Sequence, residues 1–134
     1  MLAWFIALVP HAEKFAVKFW DKNIKRIKGW YLAMRRDDDV VVSASPQFLI
    51  EEACRRLGVK CIATDLDTHA RLHSPHCHGK YKVKYFKQQY PDVKLATYYS
   101  DSRTDTPMWQ FADRGYLVKG DKISLVYQDG QKIK

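Results

Sequence analysis

The sequence has few cysteines and no long apolar run, and each shortage excludes a class of protein. Its three cysteines form an odd set without the spacing of a disulfide framework, which favours a reduced, cytoplasmic setting. The apolar residues 1–10 are too few to span a bilayer, which takes ~20 residues. They also lack the basic start of a secretory signal. We therefore expect a cytoplasmic protein that has no membrane partner.

Acidic residues are also in short supply. The 15 Asp and Glu residues are outnumbered by 23 Lys and Arg, which gives a net charge of +8. A positive field favours anionic ligands such as phosphate esters. Nucleic acid is not the expected ligand, because the aromatic residues fall mainly at core-like spacing. The length of 134 residues fits one structural domain. Within it, we expect a helical segment at 1–36 and an α/β core at 37–134.

Short apolar runs alternate with helical patterns along most of the chain. The predicted strands are Val40–Val42, which we expect to be buried on both faces, Val59–Ala63, Leu95–Tyr99, Tyr116–Val118 and Ile123–Tyr127. The predicted helices are two helices or one bent helix over His11–Arg36, then Gln47–Leu57 closed by Gly58, Lys80–Tyr90, and Pro107–Arg114 ending at Gly115. This alternation predicts an α/β fold, with a Rossmann-like, mostly parallel sheet and helices on both faces. Ligands of such folds bind beyond the carboxyl ends of the strands.

Four polar side chains follow this pattern at or near predicted strand ends and helix starts. Ser43 follows the first strand, Asp101 follows the third, and Asp105 opens the next helix. Lys82 lies in the first turn of the helix that begins after Gly79. A hydroxyl and a lysine suit a phosphate, and two carboxylates suit Mg²⁺. Each residue alone also has a simpler interpretation, as a helix cap or a solvated side chain.

Read jointly, these segments resemble a known family. The order is Val-Val-Val-Ser-Ala-Ser-Pro at 40–46, Ile62-Ala63-Thr64, Cys77-x-Gly79-x-x-Lys82-Val83, and Ser100-Asp101-Ser102-x-x-Asp105-x-Pro107-Met108. This series resembles the haloacid dehalogenase (HAD) superfamily, and within it the hydrolases similar to phosphoserine phosphatase. The resemblance extends from about residue 15 to residue 125.

The resemblance implies roles for the four residues in a Mg²⁺-dependent phosphatase acting on a small phosphorylated metabolite. Ser43 would bind the phosphate, and Lys82 would neutralise its charge. Asp101 would ligate Mg²⁺ directly, and Asp105 would support the metal. In that family an Asp-x-Asp motif at the end of the first strand supplies the nucleophile and the general acid and base.

That first motif is missing ahead of Ser43. Asp37–Asp39 precede a strand rather than end one, and Asp65-Leu66-Asp67-Thr68 lies after the serine motif, where the family pattern has a variable segment. We therefore expect an N-terminally truncated member that is inactive as this chain and lacks the first central strand of its sheet. Exposed strand edges invite pairing, which predicts a homo-oligomer.

Two other interpretations stay open. The chain is alternatively a non-catalytic module that binds phosphate or a metal ion through Ser43, Lys82 and Asp101. A dense group of zinc-type ligands also predicts, more weakly, a transition-metal site. Its members are His69, His73, His76, Cys77 and His78.

Overall fold

The computed structural model describes residues 12–27, 29–65 and 77–133. The apolar start and the segment from Leu66 to His76, with most of the histidine group, lie outside the described residues. The chain divides into two compact units, Met1–Cys77 and His78–Lys134. The single-domain organisation expected from the sequence stays a prediction.

The first unit begins with two helices, which is one of the two arrangements that its apolar periodicity predicts. A short 3-10 turn over Ile24–Arg26 separates two helices. A strand, a helix and a second strand follow. The bounds are α1 (Ala12–Asn23), α2 (Gly29–Met34), β1 (Val40–Pro46), α3 (Gln47–Leu57) and β2 (Lys60–Thr64). Gly58 ends α3, as expected.

β1 and β2 pair in parallel, so α3 is the connection of a β-α-β unit. Val40 lies opposite Lys60 and Val42 opposite Ile62, and the register then shifts before Pro46. The shift makes β1 irregular around Ser43. The valines of β1 are only half-buried, so the expected burial on both faces is wrong. A β-branched run predicts a strand, but its burial depends on what packs against it.

One stripe of α3 is buried, and α1 packs close to it. Leu49, Ala53 and Cys54 are the buried residues of α3. The indole Nε1 of Trp20 in α1 donates to the Leu49 carbonyl oxygen at 2.6 Å. This contact and the parallel strands give the first unit its core.

The second unit holds two longer helical segments and a four-stranded sheet. Its elements are α4 (Lys80–Gln89), β3 (Thr97–Ser100), a 3-10 turn (Arg103–Asp105), α5 (Thr106–Phe111), β4 (Arg114–Lys119), β5 (Lys122–Gln128) and β6 (Gln131–Lys132). The strand order is β3-β4-β5-β6, with β3 parallel to β4 and the later pairs antiparallel. The turns after β4 and β5 are too short for the crossover that parallel pairing needs. The α/β class is confirmed, with an antiparallel end to this sheet.

Trp109 forms the centre of the second unit's core. Its side chain is fully buried, and its ring stacks on Tyr127 with centroids 5.7 Å apart. A Cβ atom at Gly115 would lie 2.7 Å from the indole ring. Gly115 therefore belongs to β4 and allows close packing, and the prediction that it ends a helix is wrong.

None of the helices in the described ranges is long and apolar enough to cross a membrane.

Candidate phosphate and cation site

A buried ion pair joins two of the four residues singled out in the sequence. The Nζ atom of Lys82 lies 2.7 Å from Oδ1 of Asp105, and the two side chains are 9% and 7% exposed. Buried charges are costly unless they are paired and hydrogen-bonded. The pair therefore fixes the first turn of α4 against the 3-10 turn that precedes α5.

Two hydroxyl groups from β3 hold the other oxygen of Asp105. Ser100 Oγ donates to Asp105 Oδ2 at 2.6 Å, and the Tyr98 hydroxyl donates to the same atom at 3.2 Å. Ser100 Oγ also accepts a hydrogen bond from the Ser102 backbone N–H at 3.1 Å. The carboxylate is thus held by the charge of Lys82 at Oδ1 and by two hydrogen bonds at Oδ2.

The position of Lys82 depends on Gly79, the residue before α4. Gly79 has φ 54°, a conformation that side chains other than glycine rarely adopt. The Lys82 N–H donates to the Gly79 carbonyl oxygen at 3.1 Å, which places Lys82 in the first helical turn. An ammonium group has three N–H donors. Asp105 holds the ammonium group by charge, and an N–H that does not face the carboxylate is a donor for an anion such as a phosphoryl oxygen.

Asp101 follows the last residue of β3, as predicted, and is exposed to solvent. Mg²⁺ usually takes one or two carboxylates from the protein and keeps several waters. Asp101 fits such a hydrated ion as a direct ligand, whereas Asp105 is buried and already bonded to Lys82, Ser100 and Tyr98. When bound, the ion would supply positive charge for a phosphoryl group. The metal roles of Asp101 and Asp105 stay predictions.

Ser43 belongs to the first unit and lies within β1, just past its last regularly paired residue, Val42. Its Oγ accepts a hydrogen bond from the Ser45 N–H at 3.1 Å. That bond leaves the hydroxyl hydrogen available to a ligand oxygen. Its predicted role in phosphate binding is compatible with this geometry and stays a prediction.

Thr64 is a buried hydroxyl at the end of β2. Its Oγ1 donates to the Ala44 carbonyl oxygen at 2.7 Å and accepts from the Cys77 N–H at 3.1 Å. The side chain is 3% exposed at residue level. It therefore joins the segment after Ser43 to the residue that precedes His78.

Sequence reasoning missed Tyr98, Ser100 and Thr64 as site-building residues. Tyr98 and Ser100 are two positions apart in a strand, so they share one face. Two hydroxyl-bearing residues on one face of a strand, directly before Asp101, were the signal in the sequence that could have identified them. Thr64 was part of the recognised series but had no assigned role, because its hydrogen bonds depend on tertiary structure.

The alternative metal site gains no support from the described part of the chain. Within residues 12–27, 29–65 and 77–133, no group of three or more His, Cys, Asp or Glu side chains could hold a metal ion. His69, His73 and His76 lie outside these ranges.

Comparison with known proteins gives one match. Residues 7–110 match the family model HAD, described as haloacid dehalogenase-like hydrolase. The matched range contains all four candidate site residues. No curated protein and no solved structure matches the chain.

Proposed function

Because the chain belongs to the haloacid dehalogenase-like hydrolase family, we propose that it carries the phosphate- and cation-binding half of a Mg²⁺-dependent phosphomonoester hydrolase site. The observation that carries the proposal is the buried pair of Lys82 and Asp105, together with the exposed carboxylate of Asp101, four positions before Asp105. The substrate class is a small phosphorylated metabolite.

The roles that we propose for the four residues follow from their charges and donor groups. Lys82 binds a phosphoryl oxygen through the N–H groups that Asp105 does not direct. Asp101 is the direct ligand of a hydrated Mg²⁺, and Ser43 donates its hydroxyl to the phosphate. Asp105 orients Lys82 and supports the metal by offsetting the positive charge of the ammonium group, which would otherwise repel the ion. Covalent phosphoryl transfer needs a nucleophile, and none of these residues has that role.

The chain alone therefore binds phosphate but does not catalyse phosphomonoester hydrolysis. The first test is calorimetry with inorganic phosphate and with Mg²⁺ on the full chain, the Lys82→Met variant and the Lys84→Met variant. Lys84 is an exposed lysine of the same helix, so it controls for the loss of one positive charge. We expect phosphate binding to fall at least tenfold for Lys82→Met and to change little for Lys84→Met. Equal losses in the two variants would contradict a specific role for Lys82.

The second test is Mg²⁺-dependent hydrolysis of an aryl phosphate. We expect no turnover above the rate without protein. Robust turnover that Asp65→Asn abolishes would overturn the proposal, because it would assign the nucleophile to the segment that begins at Asp65.

The proposal also covers the missing Asp-x-Asp motif. We propose that the chain is truncated relative to a complete enzyme of this family. An in-frame sequence upstream, ending an apolar strand on Asp-x-Asp, would support truncation. A stop codon with no such sequence before it would instead support degeneration of the motif.

An alternative function is a non-catalytic phosphate- or metal-binding module. The buried position of Asp105 favours it, because a carboxylate held by one ion pair and two hydrogen bonds gives a fixed binding site. The two functions differ when the missing motif is restored. Adding the upstream segment would produce turnover in a truncated enzyme and none in a binding module.

A second copy of the chain is the partner that we propose. β3 is an edge strand of its sheet among the described residues, and edge strands readily pair with another chain. Light scattering at micromolar concentration should then give at least the mass of a dimer. A clean monomer would exclude this partner at that concentration.

A further inference from the structure

The solvent-facing side of α4 carries a row of lysines. Lys80, Lys84 and Lys87 are exposed, and the buried residues of the helix lie on its other side. Positions i, i+4 and i+7 lie on one stripe of a helix, so the three lysines follow the helix axis. The helix contains no acidic residue. This surface, together with the adjacent rings of Tyr81 and Tyr85, is called the lysine face below.

The three lysines of this face are not neutralised by carboxylates. Among the described residues none of them forms an ion pair, whereas Arg55, Arg56 and Lys94 each do. The sequence of residues 78–134 is basic as a whole, with 11 Lys and Arg against 6 Asp and no Glu. Positive charge without a local counter-charge attracts a polyanion.

Aromatic rings gather the ammonium groups of the lysine face. The Nζ atoms of Lys80 and Lys84 lie 5.5 and 5.8 Å from the centroid of the Tyr81 ring. Lys87 Nζ lies 5.1 Å from the centroid of the Phe111 ring. A cation–π contact at an exposed site contributes only about 0.5–1 kcal/mol. The rings therefore concentrate the positive charges but hold them weakly, so each ammonium group is free to turn to a phosphate.

Two tyrosine rings lie beside the lysines. The rings of Tyr81 and Tyr85 stack with their centroids 6.1 Å apart and their planes at 28°, and both residues are only half-buried. The sequence does not indicate nucleic acid, because most aromatic residues have core-like spacing, but these two lie outside the core. Lysines interleaved with aromatic rings are typical of surfaces that bind single-stranded nucleic acid, since the bases stack on the rings.

We propose that the lysine face binds single-stranded nucleic acid. The three lysines contact backbone phosphates, and Tyr81 and Tyr85 stack on bases of the same strand. An acidic peptide matches this surface less well, because its carboxylates would pair with the lysines and leave the rings without a partner. A membrane surface also matches it less well, because membrane-bound helices insert apolar side chains and no exposed residue of α4 is apolar. Lys82 lies on the buried side of the helix and takes no part.

The first test measures the fluorescence anisotropy of a labelled uridine oligonucleotide with the full chain at several salt concentrations. We expect log K to fall with log salt at a slope of about −2, because each of three phosphate contacts to a single strand contributes about −0.7. The variant Lys80→Gln/Lys84→Gln/Lys87→Gln should bind at least tenfold more weakly and lose most of this slope.

The control variant removes the same three positive charges from the sheet of the same unit, where the lysines are also exposed. It is Lys119→Gln/Lys122→Gln/Lys132→Gln. We expect it to bind the oligonucleotide like the wild type, because its lysines do not lie on α4. Equal losses in the two triple variants would overturn the proposal, since the binding would then depend on net charge alone.

The second test separates bases from phosphates by means of an abasic strand of the same length, which has the same backbone charge. The wild type should bind the uridine strand at least about fivefold more tightly than the abasic strand, a comparison that does not depend on the folding of any variant. Tyr81→Leu should remove most of this difference and leave binding of the abasic strand unchanged. Equal binding of the two strands by the wild type, or tighter binding of polyglutamate or of phosphatidylserine vesicles, would contradict the proposal.

Discussion

Lys82 Nζ and Asp105 Oδ1 form an ion pair at 2.7 Å between two side chains that are more than nine-tenths buried. Removing one partner leaves the other charge buried and uncompensated. We expect Lys82→Met to lower the free energy of unfolding by ~3–5 kcal/mol, as measured by urea denaturation. Lys84→Met, on the exposed face of the same helix, should change it by no more than ~0.5 kcal/mol.

The double variant Lys82→Met/Asp105→Leu sharpens this prediction. It removes both charges and should cost less than the sum of the two single substitutions, since neither leaves a lone charge behind. Additive losses would contradict a direct energetic coupling between the two residues.

Ser100 should matter more than Tyr98 for the orientation of Asp105, because its hydrogen bond is shorter, 2.6 Å against 3.2 Å. A hydrogen bond to a charged group contributes about 1.5–3 kcal/mol. We expect Ser100→Ala to lose stability in this range and Tyr98→Phe to lose less, in thermal or urea unfolding. Ser124→Ala in β5 is the matched control. A larger loss for Tyr98→Phe would reverse the proposed ranking.

The Thr64 hydroxyl should stabilise the first unit. Thr64→Val keeps the shape of the side chain but removes the hydrogen bonds of its hydroxyl to the Ala44 carbonyl oxygen and from the Cys77 N–H. A hydrogen bond contributes about 0.5–1.5 kcal/mol to stability, which urea denaturation would detect. Thr97→Val in β3, where the side chain is only half-buried, should have little effect. Equal behaviour of the two valine variants would mean that the Thr64 hydroxyl contributes nothing.

Gly115 has no room for a methyl group. The Cβ of an alanine would lie 2.7 Å from Cδ1 of Trp109, and overpacking of this kind costs about 1–3 kcal/mol. We expect Gly115→Ala to lower the unfolding temperature and Gly29→Ala to leave it unchanged or slightly raised. A Cβ at Gly29 would meet nothing within 4 Å. An unchanged unfolding temperature for Gly115→Ala would show that the indole ring can shift.

Glu52 should make the first unit sensitive to acid. Hydrogen bonds from Arg56 and then Arg55 hold its pKa below the ordinary value of 4.5. A carboxyl whose pKa is depressed in the folded state adds stability above its unfolded pKa, and loses it as the pH falls through the folded value. Unfolding measured at several pH values should show a shallower acid limb for Glu52→Gln than for the wild type. Glu51→Gln, on the same helix, is the control, and an equal change in both would exclude this role.

The helices were the most predictable part of the fold, because their signals are local. The bounds of α3 agree with its apolar stripe and with the glycine that follows it. The end of α5 was not predictable in this way. Gly115 has the sequence signal of a helix end. In the structure it is a strand residue, and the absence of a side chain lets the Trp109 ring pack against it. Only the tertiary structure reveals this contact.

The candidate site was predictable as a set of residues but not as a set of bonds. Lys82 and Asp105 are far apart in the sequence, and each had an ordinary local interpretation as a solvated lysine and a helix cap. Their pairing depends on how α4 and the turn before α5 pack. The sequence also gives no sign that the side chain of Asp101 is exposed and that of Asp105 is buried.

The burial of Trp109 gives the second unit a fluorescence reporter of its own. It is the sole tryptophan in the sequence of residues 78–134, and its ring is enclosed and stacked on Tyr127. Its emission should stay shielded from a dissolved quencher until this unit opens. With Trp4, Trp20 and Trp30 replaced by phenylalanine, the remaining signal would follow the unfolding of the half that contains the Lys82–Asp105 pair, separately from the half that contains Ser43.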